Sequence, residues 1–168
     1  NDLEQQLSSY VECRAAFTNM DTVQDRLVLC VSHLAMRANH LVKGKHTRRT
    51  ANFVKSCMAF CHITIPSIGD VLRKLKLTVH CAQVALNCQL LPQTDTLLRA
   101  TAKLIPLVPL FTIDPNTGRK SSNSEELFTN LRVLLSFIII VPGNPEFGPF
   151  YIVNMLLREL PRYEWPAG

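Results

Sequence analysis

Alternation of apolar helical stripes with strong break signals constrains this chain more than any other feature. The first 65 residues read as helix, break, helix, break, helix, with Asn19 and Gly44 at the internal breaks and Pro66 after the third helix. The ten prolines lie mostly between periodic runs, and the six glycines are scattered singly. This pattern favours helices joined by short turns over a sheet with glycine-rich turns, and it predicts an all-α fold.

Cap and break residues predict the bounds of individual helices. Asp21 is expected to cap the second helix, Gly44 to end it in a left-handed conformation, and the third helix to begin near Thr47. Ser67 is expected to cap a fourth helix. The apolar stripe of that helix either continues or kinks near Leu77, and both readings stay open.

Further along the chain, prolines and turn residues mark the remaining breaks. Pro92 is expected to close one segment, Thr94 to open another, and the prolines after residue 105 to stop it. Residues 106–121 are rich in turn residues and are predicted to be a flexible loop. Ser122 and Glu125 match a capping box for a buried helix. A break at 141–145 then precedes a last helix, predicted to run from about residue 149 to 160.

The spacing of these helices suggests a repeat. Predicted starts near residues 2, 47 and 94 are separated by 45 and 47 residues, close to the ~40 to 47 residues of two-helix solenoid repeats. The units share no residue-level similarity, and the later starts drift out of period. Spacing alone therefore leaves a solenoid and an irregular helical bundle about equally open.

Positive charge is concentrated in the middle of the chain. Residues 26–113 hold twelve Lys or Arg against Asp70 and Asp95, a balance of +10, whereas residues 1–25 carry −4 and residues 114–168 carry −1. A positive face would suit an acidic protein, a phospholipid surface or nucleic acid. Nucleic acid is disfavoured because the basic residues are not interleaved with aromatic ones. The alternative is an ordinary solvated helix surface.

The sequence contains no convincing catalytic, cofactor or metal pattern. His-Glu-Xaa-Xaa-His, a phosphate-binding glycine loop and Gly-Xaa-Ser-Xaa-Gly are all missing from it. The six cysteines lack the paired spacing of a disulfide framework and are expected to be reduced. Cys57 and Cys61 with His80 allow a zinc hypothesis, but buried free cysteines are common. We expect no catalysis, no cofactor and no metal.

Membrane insertion and secretion are not indicated either. The longest apolar run, residues 134–141, is much shorter than the ~20 residues of a membrane span. The sequence has no glycosylation sequon and no charged-then-apolar N-terminal segment, so a cytoplasmic location is expected. Because the chain begins at Asn1 rather than Met, we expect it to be a segment of a longer protein.

Several stretches together resemble a known family. They are residues 2–8 (DLEQQLS), 10–17 (YVECRAAF) and 43–51 (KGKHTRRTA), followed by Phe53-Val54 and residues 63–67 (ITIPS). In order and spacing they are similar to the large subunit of the Retriever complex, a family paralogous to the retromer backbone protein. The likeness is strong up to residue 67 and continues more loosely through Val141-Pro142 and beyond.

The resemblance implies a fold and a function. The fold would be a HEAT-like α-solenoid of antiparallel helix pairs, with about seven or eight helices in residues 1–168, forming one helical-repeat segment of the C-terminal half of a longer solenoid. The parent would be a non-enzymatic scaffold at endosomes that recycles cargo to the cell surface. Its association with the membrane would be indirect, and its location cytoplasmic.

The resemblance also implies partners. The C-terminal half of the solenoid would hold a small subunit with a metallophosphoesterase-like fold. An arrestin-like subunit would bind other parts of the parent, and a coiled-coil and COMM-domain assembly would associate with the whole. The runner-up function is a basic helical module that binds an acidic membrane surface or nucleic acid.

The joint between the second and third helices is the first candidate for partner binding. It contains Lys43, Lys45, His46, Arg48 and Arg49. Both arginines fall in the predicted first turn of a helix, where the positive end of the helix dipole disfavours them. An acidic partner surface or an internal carboxylate would offset that cost. Alternatively, the helix begins one turn later, near residue 50, and the arginines are solvated.

A second candidate is formed by Tyr10 and Arg14, one helical turn apart, because aromatic and arginine side chains dominate many interfaces. The competing interpretation is that Tyr10 is a core residue with its hydroxyl at the edge. Four phenylalanines are assigned to the core. They are Phe53, Phe60, Phe128 and Phe137.

Overall fold

A computed structural model describes residues 2–113, 118–141, 148 and 150–165 of the chain. Seven α-helices lie in this part: α1 (Asp2–Ala16), α2 (Asp21–Leu41), α3 (Arg48–Thr64), α4 (Val71–Asn87), α5 (Leu91–Leu104), α6 (Ser124–Ile140) and α7 (Tyr151–Glu159). Short 3-10 turns follow α3, α5 and α7 at Ile65–Ser67, Ile105–Leu107 and Leu160–Arg162. The predicted all-α class is confirmed, with one small hairpin added.

The helices form two layers. In one layer α1, α3, α5 and α7 lie side by side, each in contact with the next, and α2, α4 and α6 do the same in the other. Consecutive helices such as α2 and α3, or α4 and α5, pair antiparallel across the two layers, where the most extensive packing occurs. This is the stacking of helix pairs expected for an α-solenoid.

The α2–α4 seam shows the repeat directly. Three polar contacts join the two helices and a fourth joins α2 to Gly69, just before α4; in each the partners are separated by 48 residues. The pairs are Asp21–Gly69, Asp25–Arg73, Ser32–His80 and Asn39–Asn87. A constant offset requires two parallel helices in register. The structural repeat is thus close to the 45 and 47 residues predicted from helix starts.

The core runs between the layers and draws fully buried residues from α2 to α7. Phe60 and Phe137 belong to it, as predicted, and Phe53 packs partly buried at its edge. The assignment of Phe128 to the core is wrong. Its side chain is 46% exposed and stacks on Trp165, with ring centroids 5.6 Å apart.

Two predicted caps are used elsewhere in the fold. Asp21 does not cap α2, which begins at Asp21 itself after Met20. Its carboxylate instead accepts a 2.7 Å hydrogen bond from the Gly69 amide, before α4. Ser67 does not cap α4 either. That role belongs to Asp70, which accepts from the first-turn amides of α4.

Two further predictions concern the continuity of α4 and the start of α5. The open question near Leu77 is resolved, because α4 is continuous through it. The prediction that Pro92 closes a segment and Thr94 opens the next is wrong. Pro92 lies in the first turn of α5, where its missing amide proton costs no hydrogen bond.

Residues 106–121 are not wholly a loop. Phe111–Ile113 (β1) and Lys120–Ser122 (β2) pair antiparallel, with Phe111 opposite Ser122. Asn123 precedes α6 and turns its side chain to this hairpin, donating to the Pro109 carbonyl at 2.9 Å. The predicted capping box of Ser122 and Glu125 is therefore wrong, since Ser122 ends β2.

Two further predictions concern the end of the chain. Of the predicted break at 141–145, residues 142–145 lie outside the described residues, as does residue 149. The last helix begins at Tyr151, and its 3-10 extension ends at Arg162, close to the predicted end. In the part of the chain that the structure describes, no helix has both the length and the apolar character of a membrane span.

Candidate functional site

The turn between α2 and α3 exposes Lys43 and Lys45 to solvent. The amides of Lys43 and Gly44 donate to the carbonyls of His40 and Asn39, both at 3.1 Å, the double bond of a Schellman motif. Lys43 adopts a φ of +50° and Gly44 one of +72°, so the left-handed end of α2 takes in Lys43 as well as the predicted Gly44. The side chains of Lys43 and Lys45 are exposed.

The start of α3 is fixed by a capping box. Thr47 accepts from the Thr50 amide, and the Thr50 hydroxyl accepts from the Thr47 amide. The helix therefore begins at Arg48, and the alternative start near residue 50 is wrong. Arg48 and Arg49 both lie in the first helical turn, where the helix dipole opposes their charge.

An internal carboxylate offsets the charge of one arginine. Arg49 Nε and Nη2 donate to the two carboxylate oxygens of Glu4 in α1, at 3.0 and 2.8 Å. These hydrogen bonds lower the pKa of Glu4 and raise that of Arg49. Both side chains are well exposed, at 45% and 68%, so salt screens the pair. In the described part of the chain Arg48 has no such acidic partner.

Two grooves flank the Glu4–Arg49 pair. One, of about 360 Å³, has an apolar lining that includes Leu3, Leu41 and Phe53, with Asp2 and Arg37 beside them. The other, of about 610 Å³, is lined by Leu7, Arg48, Asn52 and Ser56 as well as the pair itself. We call this surface, from Lys43 to Arg49 with its two grooves, the basic corner. It combines exposed positive charge with apolar hollows, a combination suited to protein recognition.

His46 has a structural role inside the basic corner. Its Nε2 lies 2.9 Å from Asn39 Oδ1, and Asn39 Nδ2 donates to the carbonyl of Asn87 at the end of α4. Because Asn39 presents its amide oxygen to the ring, Nε2 carries the donated proton. This chain of hydrogen bonds ties the α2–α3 turn to α4.

Tyr10 and Arg14 lie away from the basic corner. Arg14 donates to the carbonyl of Ile63 in the last turn of α3, which is about 21 Å from Arg49 at 1.5 Å per helical residue. The Tyr10 ring is half-buried against the core. Burial raises its pKa, and a contact with Cys30 adds to this. The seven residues predicted for partner binding therefore fall into two separate groups.

Four of the six cysteines, Cys57, Cys61, Cys81 and Cys88, are buried in the core, while Cys13 is half-buried and Cys30 is exposed. Burial raises the pKa of Cys57 to about 12 and that of Cys88 to about 11. The pKa of Cys61 is also raised, mainly by its hydrogen bond with Cys81 and in addition by burial. Neutral thiols are poor nucleophiles and poor metal ligands. Among the described residues, no three His, Cys, Asp or Glu side chains are arranged to hold a metal ion.

Sequence reasoning did not assign Glu4, Arg37 or Phe53 to the basic corner. Glu4 pairs with Arg49, while Arg37 and Phe53 line a groove. A signal for Glu4 existed, because it precedes Arg49 by 45 residues, the predicted repeat length. Equivalent helices of adjacent repeats lie side by side, so residues one repeat apart meet.

Comparison with known proteins identifies relatives over nearly the whole chain, and so over the residues of the basic corner. The profile of the family described as "VPS35L C-terminal domain" matches residues 1–167. A "VPS35 endosomal protein sorting factor-like" protein of Dictyostelium discoideum is 42% identical over 99% of the chain. Similar proteins of Homo sapiens and Drosophila melanogaster are 41% and 37% identical over 98% of it. The chain spans 17% of the length of each of these relatives.

Proposed function

This chain belongs to the VPS35L C-terminal domain family, and from that premise we propose that it is a non-enzymatic scaffold segment of a complex that recycles cargo from endosomes. Its relatives carry the name of endosomal sorting factors, which supports a role in endosomal sorting. The two-layered stack of helices suits such work, because solenoids offer long surfaces to other proteins.

The partner that we assign to this segment is a small subunit with a metallophosphoesterase-like fold. The observation that carries the assignment is the basic corner, where Lys43, Lys45 and Arg48 are exposed beside apolar grooves. Complementary charge speeds association and selects partners, while apolar contact supplies most of the affinity. Arg49 is already paired with Glu4 within the chain, so its exposed neighbours Lys43, Lys45 and Arg48 would contact the partner.

The remaining partners belong to the parent protein as a whole. We expect an arrestin-like subunit to bind other parts of the parent, and a coiled-coil and COMM-domain assembly to associate with the complex. The segment would then work on the cytoplasmic face of endosomes and reach the membrane only through its partners.

Calorimetric titration of the full-length protein with the small subunit tests this assignment. We expect binding that weakens by about tenfold when Lys45 and Arg48 are both changed to Glu, a loss of about 1.4 kcal/mol. Arg26→Glu, an exposed arginine of α2, is the matched control and should leave the affinity unchanged. Failure of the unaltered protein to bind would refute the assignment.

The runner-up function has its own signature. A basic module that binds acidic membranes or nucleic acid would bind anionic vesicles or an oligonucleotide without any protein partner, with affinity that collapses as salt rises. The +10 balance of residues 26–113 motivates this alternative. The same double variant would then lose vesicle or oligonucleotide binding while its affinity for the small subunit stayed unchanged.

A further inference from the structure

Apart from the grooves of the basic corner, a groove lies between α3 and α5, and one end of it reaches Lys74 and Thr78 of α4. It consists of two adjoining hollows of about 460 and 280 Å³, and both are lined by His62 and Leu97. Along α3 the lining runs from Lys55 to the 3-10 turn at Pro66. That is eleven residue steps, or about 16 Å at 1.5 Å per step. We call it the α3–α5 groove.

Small side chains leave this groove open. Ser56 and Ala59 of α3 face Thr96 and Ala100 of α5 across it, and none of the four reaches far from its helix. The bottom is apolar, since Met58 and Leu97, both almost fully buried, contribute to the lining. An apolar floor about three helical turns long is the shape that an amphipathic helix fills in helix-in-groove recognition.

The charges around the groove are all of one sign. Lys55, His62, Lys74 and Lys103 line it, and its lining includes no Asp or Glu. Asp95, the acidic residue of α5, is buried and pairs with Arg99 on its own helix. Three lysines are thus spread along an apolar groove without a carboxylate lining it.

We propose that the α3–α5 groove binds an acidic amphipathic helix of a partner protein. Apolar side chains at a spacing of three and four residues would seat on Met58 and Leu97. Carboxylates beside them would meet Lys55 at one end of the groove and Lys74 and Lys103 at the other. The proposal goes beyond the function proposed above, because it assigns a different surface and a different partner.

A designed peptide tests the proposal with the full-length protein. The probe is a fluorescein-labelled helix of about four turns with leucines on one face and glutamates beside them, and its matched control carries lysines in place of the glutamates. We expect fluorescence anisotropy to detect binding of the glutamate peptide alone, weakening as salt rises. Equal binding of both peptides, or binding of neither, would overturn the proposal.

Two variants locate the binding to the groove. Lys55→Glu with Lys103→Glu should weaken binding by about tenfold or more, and Ala59→Leu should do the same by filling the groove without changing its charge. Lys45→Glu with Arg48→Glu, which makes the same change in charge in the basic corner, should have no effect. Unaltered affinity in both groove variants would overturn the proposal.

A membrane is the competing occupant, and vesicles distinguish it. If phosphatidylserine vesicles bind, the glutamate peptide does not, and the lysine double variant abolishes the vesicle binding, the groove is a lipid surface and the proposal fails. Failure here leaves the assignment of the small subunit untouched, because that titration changes Lys45 and Arg48 and measures another partner.

Discussion

The two layers of this solenoid place neighbouring helices in different ways. In one layer α2 and α4 meet along a closed seam, with buried residues such as Val31 and Ala82 and four polar contacts in register. In the other layer α3 and α5 leave a groove between them. The same hairpins supply both layers, so the difference must come from the side chains.

Small residues occur at both places and do not by themselves decide the outcome. Ala35 and Ala82 are fully buried in the layer of α2 and α4, whereas Ala59 is exposed and Ala100 is only half-buried beside the groove. The two places differ in whether the charged side chains beside the small residues have a partner of opposite charge. Arg73 crosses the seam to Asp25, while the lysines of the groove have no carboxylate among its lining residues. Burying an unpaired ammonium group is costly, so lysine heads stay in water and hold that side open.

The strongest test of this comparison adds the same bulk to each layer. Ala35→Leu inserts three carbon atoms where the alanine is fully buried, and overpacking should lower the free energy of unfolding by about 1 to 3 kcal/mol. Ala59→Leu adds the same atoms to the open groove and should change stability by less than about 0.5 kcal/mol. Urea unfolding of the 168-residue chain, followed by circular dichroism, measures both. Equal losses would mean that the groove is packed as tightly as the seam.

A second test compares two bidentate pairs of arginine and carboxylate. Asp25 is only 12% exposed in its pair with Arg73, which is itself 42% exposed. Asp25→Asn should therefore lower the free energy of unfolding by about 1 to 2 kcal/mol. The loss is not larger because the guanidinium of Arg73 is partly solvated, which weakens the ion pair. Glu4→Gln breaks the well-exposed pair with Arg49 and should leave the urea midpoint unchanged. A larger loss from Glu4→Gln than from Asp25→Asn would reverse the ranking of the two sites.

The sequence predicts the kind of element better than its boundaries. Helical periodicity and prolines locate the helices because they act within a few residues of chain. The assigned caps fail where a distant group competes for the same side chain. Asp21 bonds to Gly69 across the α2–α4 seam, and Ser122 pairs with Phe111 in the β-hairpin. Contacts with distant residues therefore determine how the starts of α2 and α6 are capped.

The basic corner shows the same limit. Its lysines and arginines can be read from the sequence because charge clusters locally, and an internal carboxylate was one of the alternatives that the helix dipole left open for the two arginines. Which carboxylate depends on how α1 stacks on α3, and Glu4 lies 45 residues away. Phe128 was assigned to the core for a related reason, since helical spacing does not reveal that its side chain is 46% exposed and stacks on Trp165.

The smallest expected effect is a dependence of the closed seam on pH. His80 of α4 lies 2.9 Å from Ser32 of α2, with the exposed His33 ring 6.1 Å away. Burial lowers the pKa of His80, and the charge of His33 adds to this. Because the folded pKa lies below that of the unfolded chain, the unfolded state takes up the proton first. Stability is then full above the ordinary histidine pKa of about 6.5 and falls as the pH drops below it.

Urea midpoints measured from neutral to mildly acidic pH test this dependence in the unaltered chain and in His80→Gln. The glutamine keeps a polar contact for Ser32 but cannot take up the proton, so the fall in midpoint on acidification should be smaller in the variant. His40→Gln, at an exposed position near the end of α2, should keep the full fall. If His80→Gln and His40→Gln behave alike, the α2–α4 seam does not carry the pH dependence. The polar contacts between α2 and α4 would then set register without making this layer sensitive to acid.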